Sequence, residues 1–106
     1  MTLTPSQIEV LARFDGWVKQ KHNDGTQEWE TWSKGFKVIP VDGIAKHLTS
    51  PGVLIEMRKK IQASTYKAMY YSEVLTYMNE SAELILSGEY TLAAIKTSEL
   101  IQKLEA

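Results

Sequence analysis

The apolar positions of this chain change their spacing along its length, and each change marks an element. Near the start, Ile8, Leu11, Phe14 and Val18 recur at helical intervals with Trp17 beside them. Thr4-Pro5-Ser6-Gln7 precedes them: a threonine that can cap, a proline suited to the first helical position, and a glutamine that completes a capping box. The pattern predicts a first helix from Pro5 to about His22, with Gly16 weakening it by up to ~1 kcal/mol relative to alanine. Asn23-Asp24-Gly25 ends it. A second short helix is expected from Thr26, with Glu28 and Glu30 in early turns, where the helix dipole favours acids. Trp29 and Trp32 then share a face, and Gly35 closes the element. The competing reading makes Asn23-Asp24-Gly25 the turn of a hairpin joining residues 17–22 to 26–32. The capping box favours the helix.

Phe36-Lys37-Val38-Ile39-Pro40-Val41 reads as extended, and Pro40 confines it to an edge strand or a linker. Ile44-Ala45-Lys46-His47-Leu48 fits one or two helical turns. Ser50-Pro51 opens a further helix whose buried face is Val53, Leu54, Met57 and Ile61. Ser64-Thr65 either breaks this helix or is passed through. Tyr66, Tyr70, Val74, Tyr77 or Met78, Ser81, and Leu84 or Ile85 carry one stripe down to Ser87, and Gly88 is a natural left-handed terminator. Thr91 caps a last helix with Leu92, Ile95, Leu100, Ile101 and Leu104 inward. The short link at residues 87–90 predicts an antiparallel αα-hairpin. Unbroken, residues 51–87 would span about 55 Å at 1.5 Å per residue. One small domain cannot cover that length, so the helix kinks near Ser64 or packs on another copy.

The expected fold class is therefore mainly α: a small helical domain of about four to five helices with a C-terminal αα-hairpin and one short edge strand near 36–41. Residues 1–106 form a single domain. N-terminal helices occupy 1–35, an extended segment and short helix 36–49, and a long or kinked helix plus the C-terminal helix 50–106.

Composition adds limits. The 106 residues are 43% hydrophobic and 24% charged, ordinary for a globular chain and against long disorder. There is no cysteine, which removes thiol nucleophiles, thiolate metal sites and disulfides. No stretch approaches the ~20 apolar residues of a membrane span. The N-terminus lacks the basic and apolar regions of a signal peptide, so cytoplasmic residence is expected.

Candidate chemistry is sparse. His22 and His47 have no acid or second histidine at ligand spacing, so no metal is expected. Nucleophile-elbow, phosphate-loop and dinucleotide glycine patterns are missing. Glu80 and Glu83 share a helix face, the usual wet side of an amphipathic helix. Neither catalysis nor a cofactor is expected.

Charge and aromatic placement say more. Residues 34–67 hold seven lysines and arginines against Asp42 and Glu56, whereas residues 72–106 hold two basic against six acidic side chains. The middle segment thus permits an acidic partner. Its Ile44-Ala45-Lys46-His47-Leu48, Ser50-Pro51-Gly52 and Arg58-Lys59-Lys60-Ile61 resemble a DNA-binding helix-turn-helix, as Leu3-Thr4-Pro5 with Val10-Leu11 resembles the opening helix of some such regulators. The resemblance implies a second helix in the major groove and phosphate contacts from Lys46, Arg58, Lys59, Lys60 and Lys67. The chain departs from that pattern in lacking the turn glycine and in starting the second helix with Val53-Leu54-Ile55, which suits a core. Its pI of about 6.1 is also low for a nucleic-acid binder.

The aromatic stripe carries the main expectation. Tyr66, Tyr70, Tyr71, Tyr77 and Met78, with Met69, make a face broader than one neighbouring helix covers, and Tyr and Met favour interfaces. Trp29 and Trp32 are either a lid on the core or a partner anchor. The function expected is a non-enzymatic protein-protein interaction module, self-associating or docking another chain, in the manner of an inhibitor, adaptor or assembly factor. The alternative is the helix-turn-helix-like regulator using residues 44–67.

Overall fold

The computed structural model describes residues 2–64 and 69–105, so Tyr66 and Lys67 lie outside the described residues. Helix α1 spans Pro5–Phe14, followed by strands β1 (Val18–Asn23), β2 (Glu28–Lys34) and β3 (Lys37–Pro40). A 3-10 turn at Val41–Gly43 leads into α2 (Ile44–Leu48), α3 (Pro51–Gln62), α4 (Tyr71–Leu86) and α5 (Tyr90–Glu105). The described residues thus hold five α-helices and a small antiparallel sheet of order β1-β2-β3. The chain is mostly helical, with more strand than expected.

The capping box is present in full. The Gln7 N–H donates to Thr4 Oγ1 at 3.2 Å and the Thr4 N–H to Gln7 Oε1 at 2.9 Å. The helix it starts is shorter than expected, because Gly16 terminates it instead of weakening its interior. Gly16 takes φ +95°. The Gly16 N–H reaches the Arg13 carbonyl and the Trp17 N–H reaches that of Ala12. This paired closure is a Schellman motif. Trp17, the residue just beyond, is buried.

Residues 18–34, expected as a helix end and a second helix, form a β-hairpin instead. Asp24 is the reason. Its Oδ1 accepts from the Thr26 N–H, the Thr26 hydroxyl and the Gln27 N–H, while Asn23 Oδ1 accepts from the Gly25 N–H at 2.7 Å. The Thr26 hydroxyl, followed by those backbone N–H groups, holds the Asp24 carboxyl below its ordinary range. The loop is held by its own side chains, with Gly25 at φ +91°. Alternation then sends Trp32 inward beside Ile39 of β3, its register partner, and leaves Trp29 outside, stacked on its partner His22. The expected edge strand is present as β3.

Trp17, Trp32, Leu11, Ile44, Leu48, Leu54, Met57 and Ile61 belong to one core with the C-terminal helices. Helix α5 is its centre: it packs on α1, α3 and α4, and Ala93, Ala94, Thr97 and Ser98 are small enough to admit all three. The segment read as one long helix or a kinked pair holds two helices among the described residues: α3 stops at Gln62 and α4 starts at Tyr71. Gly88 at φ +80° closes α4 by a second Schellman pair, with its N–H on the Ile85 carbonyl and the Glu89 N–H on that of Leu84. The expected αα-hairpin follows, antiparallel, with Glu73 opposite Lys103, Tyr77 opposite Thr97 and Glu80 opposite Lys96. Helix α5 begins at Tyr90, one residue before the expected cap Thr91.

Tyr77 is a pH-sensitive point of this hairpin. Thr97 Oγ1 donates to the Ala93 carbonyl, so the Tyr77 hydroxyl donates to Thr97 Oγ1 at 2.8 Å. Burial is the largest influence on the Tyr77 hydroxyl and pushes it above its ordinary range. The folded state therefore keeps a proton that the unfolded state releases near pH ~10. Stability from this group is fully present below that pH and is lost as pH rises through the folded value. Urea midpoints measured from pH 8 to 11 should fall more steeply for the natural chain than for Tyr77→Phe.

Candidate functional site

Two surfaces stand out, one apolar and one basic. The first lies on α4. Glu73 and Glu80 point to α5, where they pair with Lys103 and Lys96. On the opposite side Tyr71, Leu75, Met78, Ala82 and Leu86 fall within about 60° of one direction at 100° per residue. Leu75 is 47%, Tyr71 59% and Leu86 88% exposed, and Met69 just before the helix is exposed too. Met78 and Ala82 are half-buried. The stripe carries no charge, and Glu83 borders it. A shallow hollow of about 210 Å³ lies among Tyr71, Val74, Leu75, Met78 and Gln62.

The second is a groove of about 670 Å³ between α3, the β2–β3 tip and the end of α1. Gly52, Val53, Glu56, Lys59 and Lys60 line it from α3, Lys34 and Lys37 from the strands, His47 from α2, and Asp15 and Trp17 from the turn after α1. Asp15 ties these elements together. Its carboxylate accepts from the Trp17 indole N–H at 2.8 Å and lies 3.5 Å from Lys34 Nζ and 3.8 Å from His47 Nε2. The His47 ring meets the Trp17 ring edge-on at 5.1 Å. Lys60 Nζ donates to the Phe14 carbonyl and lies over the Phe14 ring, and Lys59 is 3.6 Å from Glu56. Four lysines thus face two carboxylates.

The start of α3 opens into this groove. Ser50 sits at the expected cap position, but its hydroxyl donates to the His47 carbonyl at 2.9 Å and makes no cap bond. Pro51 follows and has no N–H.

The residues singled out from sequence scatter. Trp32 and Tyr77 are core, while Trp29 and Tyr71 are exposed on different elements. Tyr70 and Met78 are half-buried. Among the basic residues, Lys59 and Lys60 line the groove and Lys46 is exposed on α2. Arg58 turns the other way: it donates to Ser81 Oγ at 2.9 Å and to the Met78 carbonyl at 3.1 Å. Both histidines are half-buried, and His22 Nε2 sits 2.8 Å from Thr31 Oγ1. Sequence reasoning missed Lys34, Lys37, Leu75 and Leu86. The last two carried a signal, the 71-75-78-82 spacing on the face away from Glu73. No described helix is long and apolar enough to cross a membrane. No family model, curated protein or solved structure matches the chain.

Proposed function

We propose that this chain is a non-enzymatic interaction module that self-associates through the outer face of α4, with a second copy as its first partner. The uncharged stripe of Tyr71, Leu75, Met78, Ala82 and Leu86 carries this reading. The 4-3-4 spacing of Tyr71, Leu75, Met78 and Ala82 is the one that lets two helices meet along a seam, with Leu86 extending it at the C-terminal end. Helix α4 contains three glutamates and no lysine or arginine, so two copies of it would repel across any charged face. Glu73 and Glu80 are turned to α5 and neutralised there, which leaves the stripe free of that repulsion. A two-fold pairing then buries the same apolar side chains from both chains. An inhibitor, adaptor or assembly factor would use the surfaces left outside such a dimer.

Sedimentation equilibrium across a concentration series tests this. A reversible dimer is expected, and Leu75→Glu should weaken it at least about tenfold by burying a carboxylate at the seam. The folded chain should keep its helical signal, because Leu75 is outside the core. A natural chain that stays monomeric at the highest concentrations would overturn the reading.

A further inference from the structure

The basic groove has a feature beside it that the α4 reading does not use. Lys34 and Lys37 are register partners at the end of the β2–β3 hairpin, and Gly35-Phe36 forms the two-residue turn between them. Phe36 is 108% exposed, a bare aromatic ring at a tip flanked by two lysines. A turn residue gains nothing for the fold from such a ring. We propose that this tip and the groove bind single-stranded nucleic acid, with the phosphodiester backbone in the groove and a base stacked on Phe36.

The lysines carry the argument. Lys34, Lys37, Lys59 and Lys60 come from the strands and from α3, and they outnumber Asp15 and Glu56. From Gly52 to Lys59 the groove follows α3 for about 10 Å at 1.5 Å per residue. That length spans about two successive phosphates of an extended single strand, which stand further apart than the ~3.4 Å axial rise of a duplex strand. Backbone donors add to the lysines. The N–H groups of Gly52 and Val53 lie in the first turn of α3, where no side chain caps them. Nothing stands within 4 Å of the place a Gly52 side chain would occupy, so a phosphate can approach the backbone there. Exposed aromatic rings beside a cationic track are how proteins hold a single strand without reading its sequence. A groove of about 670 Å³ is the size of a small-ligand site, which suits a nucleotide or two of one strand. The inference is independent of α4, since no groove residue lies on that helix.

The test is fluorescence anisotropy of a short, labelled, mixed-sequence single strand titrated with the full chain. Binding should weaken with salt at a log–log slope of about −2 to −3, from three or four displaced counterions. Lys37→Glu should weaken binding more than about tenfold and flatten that slope. Phe36→Ala should weaken it by about tenfold with the slope retained, because stacking displaces no counterion. Both side chains are exposed, so both variants should fold, which circular dichroism checks. Lys46→Glu, on α2 and outside the groove, is the control and should have little effect. Leu75→Glu should bind like the natural chain, which separates this inference from the α4 seam. Three results would each overturn it: no binding at low salt, an equal loss from Lys46→Glu and Lys37→Glu, or tighter binding of a matched duplex or of anionic phospholipid vesicles.

Discussion

Trp32→Ala is expected to remove about 3–5 kcal/mol of stability, the range for deleting a large buried aromatic. Small domains have a total of about 5–15 kcal/mol, and one of this size sits toward the low end. The variant should therefore be largely unfolded or unfold at very low urea. The reason is position. Trp32 is 1% exposed and is the largest fully buried side chain of the chain. It joins the sheet to the helical core and lies under the cations of Arg13 and Lys19, 5.9 and 5.5 Å from its ring. Removing it empties the junction between two layers that share few other large side chains. Trp29 is the matched control. It is 44% exposed and stacks on His22 at 5.3 Å, so Trp29→Ala should cost about 0.5–1.5 kcal/mol. Urea unfolding followed by circular dichroism compares the two. Equal losses would mean that the hairpin does not sort its tryptophans by face as described.

That contrast also shows what could be read from the chain alone. Trp29 and Trp32 sit three apart, which puts them on one face of a helix and on opposite faces of a strand. The period decides, and local residues decide the period. The capping box at Thr4 and Gln7 gave the start of α1 correctly, because a cap is a local hydrogen-bond pattern. Its end was hidden, since a glycine inside an apolar period looks the same whether it weakens a helix or closes it. Gly16 closes it, with Trp17 as the buried residue after the turn. Asp24 was likewise ambiguous, because an aspartate before Gly-Thr suits a helix end as well as a side-chain-held hairpin loop. Gly88 was legible because nothing apolar follows it at once to continue the stripe. The αα-hairpin followed from the length of the link it terminates.

The binding surfaces were less legible for a different reason. The aromatic stripe sums two faces of α4: Tyr77 inward on α5, and Tyr71 with Leu75 outward. Only the packing of α5 separates them. The groove joins side chains from four separate elements, and a sequence places Lys34 and Lys37 far from Lys59 and Lys60. Lys34, Lys37 and the run Arg58-Lys59-Lys60 show charge, but not which of these side chains face the same way.

Arg58 is the sharpest case of that limit, and its substitution carries the second large effect. Arg58→Ala is expected to destabilise the chain by about 2–3 kcal/mol, because charge-assisted hydrogen bonds contribute more than neutral ones and their buried acceptors lose a partner. The acceptors are Ser81 Oγ, fully buried in α4, and the Met78 carbonyl one turn before it. Without the guanidinium, Ser81 Oγ retains only a long contact of 3.4 Å to that same carbonyl. Arg58→Lys should recover part of the loss, since one ammonium cannot reproduce the two-pronged geometry. A double-mutant cycle with Ser81→Ala should show coupling, because removing both partners leaves no stranded hydroxyl at position 81. Thermal and urea unfolding measure the cost. Oligonucleotide affinity measured on the folded variant should match that of the natural chain. The three consecutive cations of α3 would then divide by direction: Lys59 and Lys60 toward the groove, and Arg58 holding α4 against α3.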